Sequence, residues 1–244
     1  MATQISLLRQ RSSRPLWALL AVSALLFAGA VIHLGLGARA IAPRVVVEAL
    51  LHYDPRNFEH RIIVSLRLTR LLAALLTGAA LGAAGLLLQT IVRNPLGEPH
   101  ILGLNAGATL AVVACSAAGV SFGEWGINRP LTAACGAALL FGLVMLLSSA
   151  GRAGATAMKI TLCGVALSAF ASAVTASILI LDEQTLQAMR TWLAGDLAGI
   201  SLTTLQVASI PALLGLLLAA FISPRLNILA LGDRVASGLG VAVA

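Results

Sequence analysis

Charge is what this chain has least of. Only 10% of its 244 residues are Asp, Glu, Lys or Arg, against roughly 25% in an ordinary soluble domain. With 59% hydrophobic residues and a mean hydropathy of +0.97, a water-soluble globule is excluded. Lysine is scarcer still: fifteen of the sixteen basic residues are arginine, and Lys159 stands alone. No G-x-x-x-x-G-K-[ST] loop leads to it, so the chain cannot cradle ATP in the P-loop manner. The net charge of +7 is dispersed between apolar runs, with no basic stripe interleaved with aromatics. That excludes a nucleic-acid footprint and reads as membrane-flanking anchors. Cysteine is also sparse. Cys115, Cys135 and Cys163 lie inside apolar runs without paired spacing or adjacent ligand histidines, so they read as small hydrophobes rather than metal ligands. The absence of H-E-x-x-H excludes an intramembrane metalloprotease of that type, and no serine–histidine pair is placed by sequence for other intramembrane catalysis.

What the chain has is long apolar runs. A bilayer-crossing helix needs about 20 largely apolar residues, and six stretches qualify: roughly 16–36, 69–92, 100–119, 130–150, 160–181 and 202–222. The expected fold is all-α, a polytopic transmembrane helix bundle. Ala38-Arg39-Ala40 resembles a signal-peptidase site, but the preceding apolar stretch is longer than a signal core of about 7–15 residues, so a retained first span is expected. Arg9, Arg11 and Arg14 precede that span and favour a cytoplasmic N-terminus, since the first helix usually dominates orientation. The remaining basic residues do not decide the matter: with that topology eight fall on each side.

No Asp, Glu, Lys or Arg lies well inside any run. Ion-coupled carriers keep such costly groups at mid-membrane for function, so their absence argues against a secondary transporter. Small residues fill the spans instead. Thr77–Gly85 offers glycine and alanine at four-residue spacing, a face suited to close helix packing.

Between the second and third runs sits Arg93-Asn94-Pro95-Leu96-Gly97-Glu98-Pro99-His100-Ile101-Leu102-Gly103-Leu104-Asn105-Ala106-Gly107. Two prolines four residues apart break a helix here, and Pro95 biases Asn94 toward extended backbone. This hinge, with Arg67-Leu68-Thr69-Arg70 upstream, resembles the permease family that imports ferric siderophores, haem and cobalamin through ATP-binding-cassette transporters of the type II importer class. Leu162–Leu167, Trp192–Gly195 and Leu226–Asp233 with Leu239-Gly240 agree with the family pattern in order. The resemblance covers about residue 60 to the end. It implies one transmembrane permease domain over 1–244, showing six spans of an expected ten, with the C-terminal part missing.

The same resemblance implies a function and site residues. The expected activity is inward movement of ferric-siderophore complexes across the bacterial cytoplasmic membrane, without chemistry of the chain's own. It implies no cofactor or metal on this chain, with ATP hydrolysed by a separate ATPase subunit. A periplasmic or lipoprotein substrate-binding protein and a second permease subunit, identical or homologous, complete the assembly. Cobalamin or haem import is the alternative within the family, and an ion-coupled carrier the alternative outside it. By resemblance, Arg67 and Arg70 receive acidic residues of the binding protein, and interfacial snorkelling is their other reading. Asn94 and Leu96 form a cytoplasmic gate with a partner loop near Ala157 and Met158, where relatives often carry small hydroxyl residues. Gly232, Asp233, Ala236, Leu239 and Gly240 lie in a loop at 223–244 that couples to the ATPase.

Other expectations come from the residues themselves. Thr161, Ser168, Ser172 and Thr175, at steps of seven, four and three, share one helical face. By resemblance they line the pathway; otherwise they bond their own backbone or a neighbouring helix. Leu186, Met189 and Leu193 predict an amphipathic helix near 182–199, anchored by Trp192 at the interface. Ser223-Pro224 is expected to end the sixth span, Asp233 to cap a short helix, and Glu98 to cap the third span. His52 and His60, in the segment between the first two runs, read as solvated rather than as metal ligands.

Overall fold

The computed structural model describes residues 14–92, 102–120, 128–150, 154, 156–229 and 238. Among them there is no strand; the elements are helices. In order they are α1 (Arg14–Gly35), α2 (Pro43–Leu51), α3 (Phe58–Arg61), a π-helical stretch (Ile62–Leu68), α4 (Thr69–Val92), α5 (Leu104–Ala117), α6 (Asn128–Ser149), α7 (Ala157–Leu181), α8 (Glu183–Leu193) and α9 (Leu202–Leu229). Among the described residues five helical runs are long and apolar enough to cross a membrane, and α5 is a shorter apolar helix. Large apolar side chains such as Leu81, Leu139, Phe170, Ile180 and Phe221 stand exposed on them. In water such surface would drive association; in a bilayer it meets a solvent of its own kind. The protein is a multi-pass transmembrane helix bundle.

The described residues fall into two compact units, one up to Ala73 with Ala198–Ser201, the other Ala74–Leu197 with the residues from Leu202 on. In the first unit, Pro43 opens α2, where its missing N–H costs nothing. Val46 and Ala49 of α2 then meet Leu34, Ile41 and Ile63 in a small buried cluster. Asn57 caps α3 by accepting from the N–H groups of Glu59 and His60. The helical run from Phe58 to Val92 is continuous over 35 residues, so the second span begins well before residue 69. Its π-helical stretch widens the backbone turn. Two hydroxyls serve carbonyls there: Ser65 Oγ donates to Arg61 O, and Thr69 Oγ1 to Val64 O at 3.2 Å.

In the second unit α5 packs on α6, α7 and α8. At 14 residues it is about 21 Å long, short of a hydrocarbon core of about 30 Å, whereas the sequence predicts a span over 100–119. It starts after Gly103, whose φ of +78° suits only glycine readily. Helices α5 and α6 approach closely. A Cβ on Gly107 would lie 2.5 Å from Gly136 O and 2.6 Å from Leu140 Cβ. By contrast, among the described residues nothing lies within 4 Å of a Cβ placed on Gly78, Gly82 or Gly85. Close packing through small residues therefore occurs at Gly107 and Gly136, and among the described residues the glycines of the Thr77–Gly85 face have no such neighbour.

Val112, Val113 and Met189 form a second buried cluster, with Cys115, Ile178, Leu179 and Trp192 packed against it. The expected amphipathic helix is α8, but Leu193 is 40% exposed. Its inward face is Thr185, Met189 and Trp192, and Trp192 serves this core. Asp182 ends α7 and caps α8, accepting from the N–H groups of Gln184 and Thr185 and from the Thr185 hydroxyl at 2.6 Å. That hydroxyl bond, with the Thr185 amide, holds the Asp182 carboxyl below its ordinary value.

Pro224 does not end the sixth span. α9 continues through it, and through Pro211, to Leu229. Proline inside a helix removes one backbone bond, a loss that membrane-spanning helices tolerate. Residues 223–229 are therefore helix rather than loop.

Candidate functional site

Polar groups in an apolar bundle carry the functional information, and they gather in three places. The first is a crevice between α5 and α7. Asn105, Ala106 and Thr109 on one side, and Ser172, Thr175, Ala176 and Leu179 on the other, line a cavity of about 220 Å³. Thr175 is buried and its hydroxyl donates to Ala171 O at 2.8 Å. Ser172 is exposed. Thr109 Oγ1 donates to Asn105 O at 2.9 Å, so these hydroxyls satisfy backbone while facing the crevice. Of the polar stripe read from sequence, Ser172 and Thr175 meet here. Ser168 lies one turn away, its Oγ buried and without a hydrogen-bond partner among the described residues, near the position a Cβ on Gly103 would take, at 3.4 Å. Thr161 is exposed near the start of α7 and outside the cavity lining. Asn105 and Thr109 are the residues that the stripe alone misses, although their four-residue spacing puts them on one helix face.

The second place is the start of α7. Thr156 is the N-cap and accepts the Lys159 N–H at 3.3 Å. The Lys159 ammonium reaches back, donating to Ala150 O at 3.1 Å and to Gly154 O at 3.0 Å. A cation at a helix N-terminus is unfavourable, but here it bonds Ala150 O, next to the C-terminal end of α6 where the dipole favours a cation, and also Gly154 O. Ala157 is the first residue of α7, and Met158 is 70% exposed beside it. Asn94 and Leu96, the proposed partners of this loop, lie outside the described residues, as do Glu98 and Gly232, Asp233, Ala236, Leu239 and Gly240.

The third place is the end of the first unit that holds Arg67 and Arg70. Arg70 is exposed; Arg67 is half-buried and bonded to the backbone of the α1 end. Arg39 pairs with Glu59 at 3.3 Å. His33 Nε2 donates to Arg67 O at 3.2 Å. His60 departs from the solvated expectation: it is 2% exposed, with Nδ1 accepting the Asp54 N–H at 3.1 Å. His52 is exposed. Among the described residues no cluster of three or more His, Cys, Asp or Glu is arranged to hold a metal.

A polar crevice in a helix bundle does not by itself identify a protein, but the pattern along the chain does. The model of the FecCD transport family matches residues 18–244. The chain belongs to the FecCD transport family. It is 37% identical over 222 residues to the iron(3+)-hydroxamate import system permease protein FhuB of Bacillus subtilis (strain 168), covering 91% of this chain and 57% of that protein. It is 38% identical over 221 residues to the ferric enterobactin transport system permease protein FepD of Escherichia coli (strain K12), covering 90% and 65%. Among solved structures it resembles a transporter described as of the metal-chelate ABC type, in an inward-facing conformation. The TM-score is 0.75 and the identity 29%, covering 92% of this chain and 68% of that one. This FecCD chain thus spans about three-fifths of the length of these curated relatives.

Proposed function

We propose that this FecCD chain is the permease part of an ATP-binding-cassette importer that moves ferric-siderophore complexes inward across a bacterial cytoplasmic membrane. The observation that carries the reading is the Asn105–Thr109–Ser172–Thr175 crevice. It offers neutral hydroxyl and amide groups, with no charge that would grip a large chelate, in a chain whose relatives are named for iron(3+)-hydroxamate and ferric enterobactin transport. Weak, neutral lining suits passage rather than storage.

In this reading the chain itself performs no ATP hydrolysis. A separate ATPase subunit supplies the energy and docks at the loop holding Gly232, Asp233, Ala236, Leu239 and Gly240. The N-terminus lies in the cytoplasm, as do the Asn94–Leu96 hinge and the Ala157–Met158 loop, which together close the inner end of the pathway. The end bearing Arg67 and Arg70 faces outward and meets a substrate-binding protein. A second permease subunit completes the pathway.

The test is uptake of ⁵⁵Fe-loaded hydroxamate, catecholate and citrate chelates, and of labelled cobalamin and haem, by a deletion strain under iron limitation. Loss of uptake of at least one ferric chelate, restored by the gene in trans, is expected. Unchanged iron uptake with loss of cobalamin or haem uptake would overturn the cargo. Uptake that persists without the ATPase would overturn the importer class.

A further inference from the structure

Arg67 stands where a docking arginine is expected, yet its guanidinium is already engaged. Nη1 donates to Leu34 O at 2.7 Å, and Nη2 donates to Arg39 O. Leu34 lies in the last turn of α1, where carbonyls lack intrahelical donors and the helix dipole favours a cation. Arg39 lies four residues past the helix, so one planar fork holds both ends of the turn between them. The turn is closed by the Ile41 N–H, which donates to Gly35 O at 3.0 Å. His33, from the same end of α1, donates to the backbone carbonyl of Arg67 itself. The seat for the fork is a glycine: a Cβ on Gly37 would stand 2.9 Å from Arg67 Nη2 and 3.1 Å from Cζ.

Arg70 differs in every respect. It is exposed, and no hydrogen bond or ion pair engages it among the described residues. A carboxylate arriving from outside meets Arg70 as a free fork. To engage Arg67, it would have to displace two backbone carbonyls that would then be left without donors. Resting on the importer reading above, we propose that Arg67 is a positioning residue that fastens the Leu34–Arg39 turn, and that Arg70 takes the acidic side chain of the binding protein. Arg67 supports docking by holding the surface around Arg70 in shape, and it does not touch the partner.

Two measurements on the full chain test this. The first reads the turn by amide hydrogen exchange in detergent. R67M is expected to speed exchange at Ile41 about tenfold or more. G37A keeps every arginine but fills the guanidinium seat, and should do the same. R67K keeps the charge but not the two-pronged reach, and should resemble R67M. The second reads affinity for the substrate-binding protein of the same transporter across salt concentrations, with the ATPase present. R70E should weaken binding and flatten its salt dependence, as loss of a contact charge does. R67M and G37A should weaken binding by similar factors and leave the salt slope of the wild type. A silent G37A beside an R67M that flattens the salt slope would overturn the proposal, as would an R67K with wild-type affinity. Wild-type chain that binds no such protein would overturn the importer reading, while Ile41 exchange would still decide the clasp.

Discussion

Gly107 and Gly136 bring two helix backbones together with no side chain between them: each would drive a Cβ into the other's carbonyl oxygen. Alanine is otherwise the better helix residue by about 1 kcal/mol, so the sign of a Gly→Ala change reports the packing. G107A and G136A are expected to destabilise by about 1–3 kcal/mol, the usual penalty of overpacking. G82A, with open space around it, should be neutral or stabilising. Thermal unfolding in detergent measures all three, and equal behaviour at positions 82 and 136 would refute the crossing.

That contrast shows how far the sequence could be read. Apolar length and small-residue content are local properties, so the all-helical bundle was legible from periodicity and hydropathy. Which glycine face finds a partner is a property of the tertiary arrangement. The Thr77–Gly85 face looks at least as good on paper as Gly107 does, yet among the described residues it is Gly107 that meets Gly136. Pro224 taught the same lesson, since a local helix breaker was overridden within a long apolar helix. In the site, Ser172 and Thr175 were legible from one helix's periodicity. Asn105 and Thr109 face them across a pairing of helices that no single-segment pattern encodes. Arg67 and Arg70 look alike in sequence, and only the fold gives one of them two backbone partners.

Met189 fastens α8 to α5. It is fully buried in one cluster with Val112 and Val113, so M189A should cost about 2–5 kcal/mol. Protection of the α8 amides against hydrogen exchange should fall with it. L193A, at an exposed position, should leave both unchanged. Equal effects of the two substitutions would place the helix differently.

Acid should loosen the same helix. The Asp182 carboxyl is held below its ordinary value by the Thr185 hydroxyl and amide. A depressed carboxylate contributes stability that is present above the unfolded-state value of about 3.9 and lost as pH falls through the folded-state value. Exchange at the Gln184 and Thr185 amides, corrected for intrinsic rates, should therefore rise below about pH 4. D182N should flatten that dependence, and T185A should move it to higher pH. An unaltered profile in D182N would remove the carboxylate from the account.

Lys159 ties Ala150 to Gly154. Its ammonium donates to both carbonyls, and losing such a half-exposed pair of bonds costs about 1 kcal/mol net. K159M should lower stability by about that much, read as thermal unfolding in detergent. K159R should stay near wild type. If K159M and wild type melt alike, the clip carries no weight.

The α5–α7 crevice separates a water-filled pathway from a packing defect. Water in a pathway lets a small charged thiosulfonate reagent reach it, whereas lipid or a dry void does not. With Cys115, Cys135 and Cys163 replaced, Ser172→Cys and Asn105→Cys should react readily, and a saturating ferric chelate should slow that reaction. Thr175→Cys, buried beneath them, should react at least about tenfold more slowly. Phe170→Cys, midway along the same helix at an exposed apolar position, should resist the charged reagent, because exposure there is to hydrocarbon. Size gives an independent check: Ser172→Phe should fill much of a cavity of about 220 Å³ and reduce uptake about tenfold or more without lowering the melting temperature. Thr175→Val should leave uptake within about twofold, because the Thr175 hydroxyl is already bonded to Ala171 O and valine keeps the shape of the lining. Reaction at Phe170→Cys as fast as at Ser172→Cys would show that exposure alone governs access, and the crevice would then be an ordinary gap between helices.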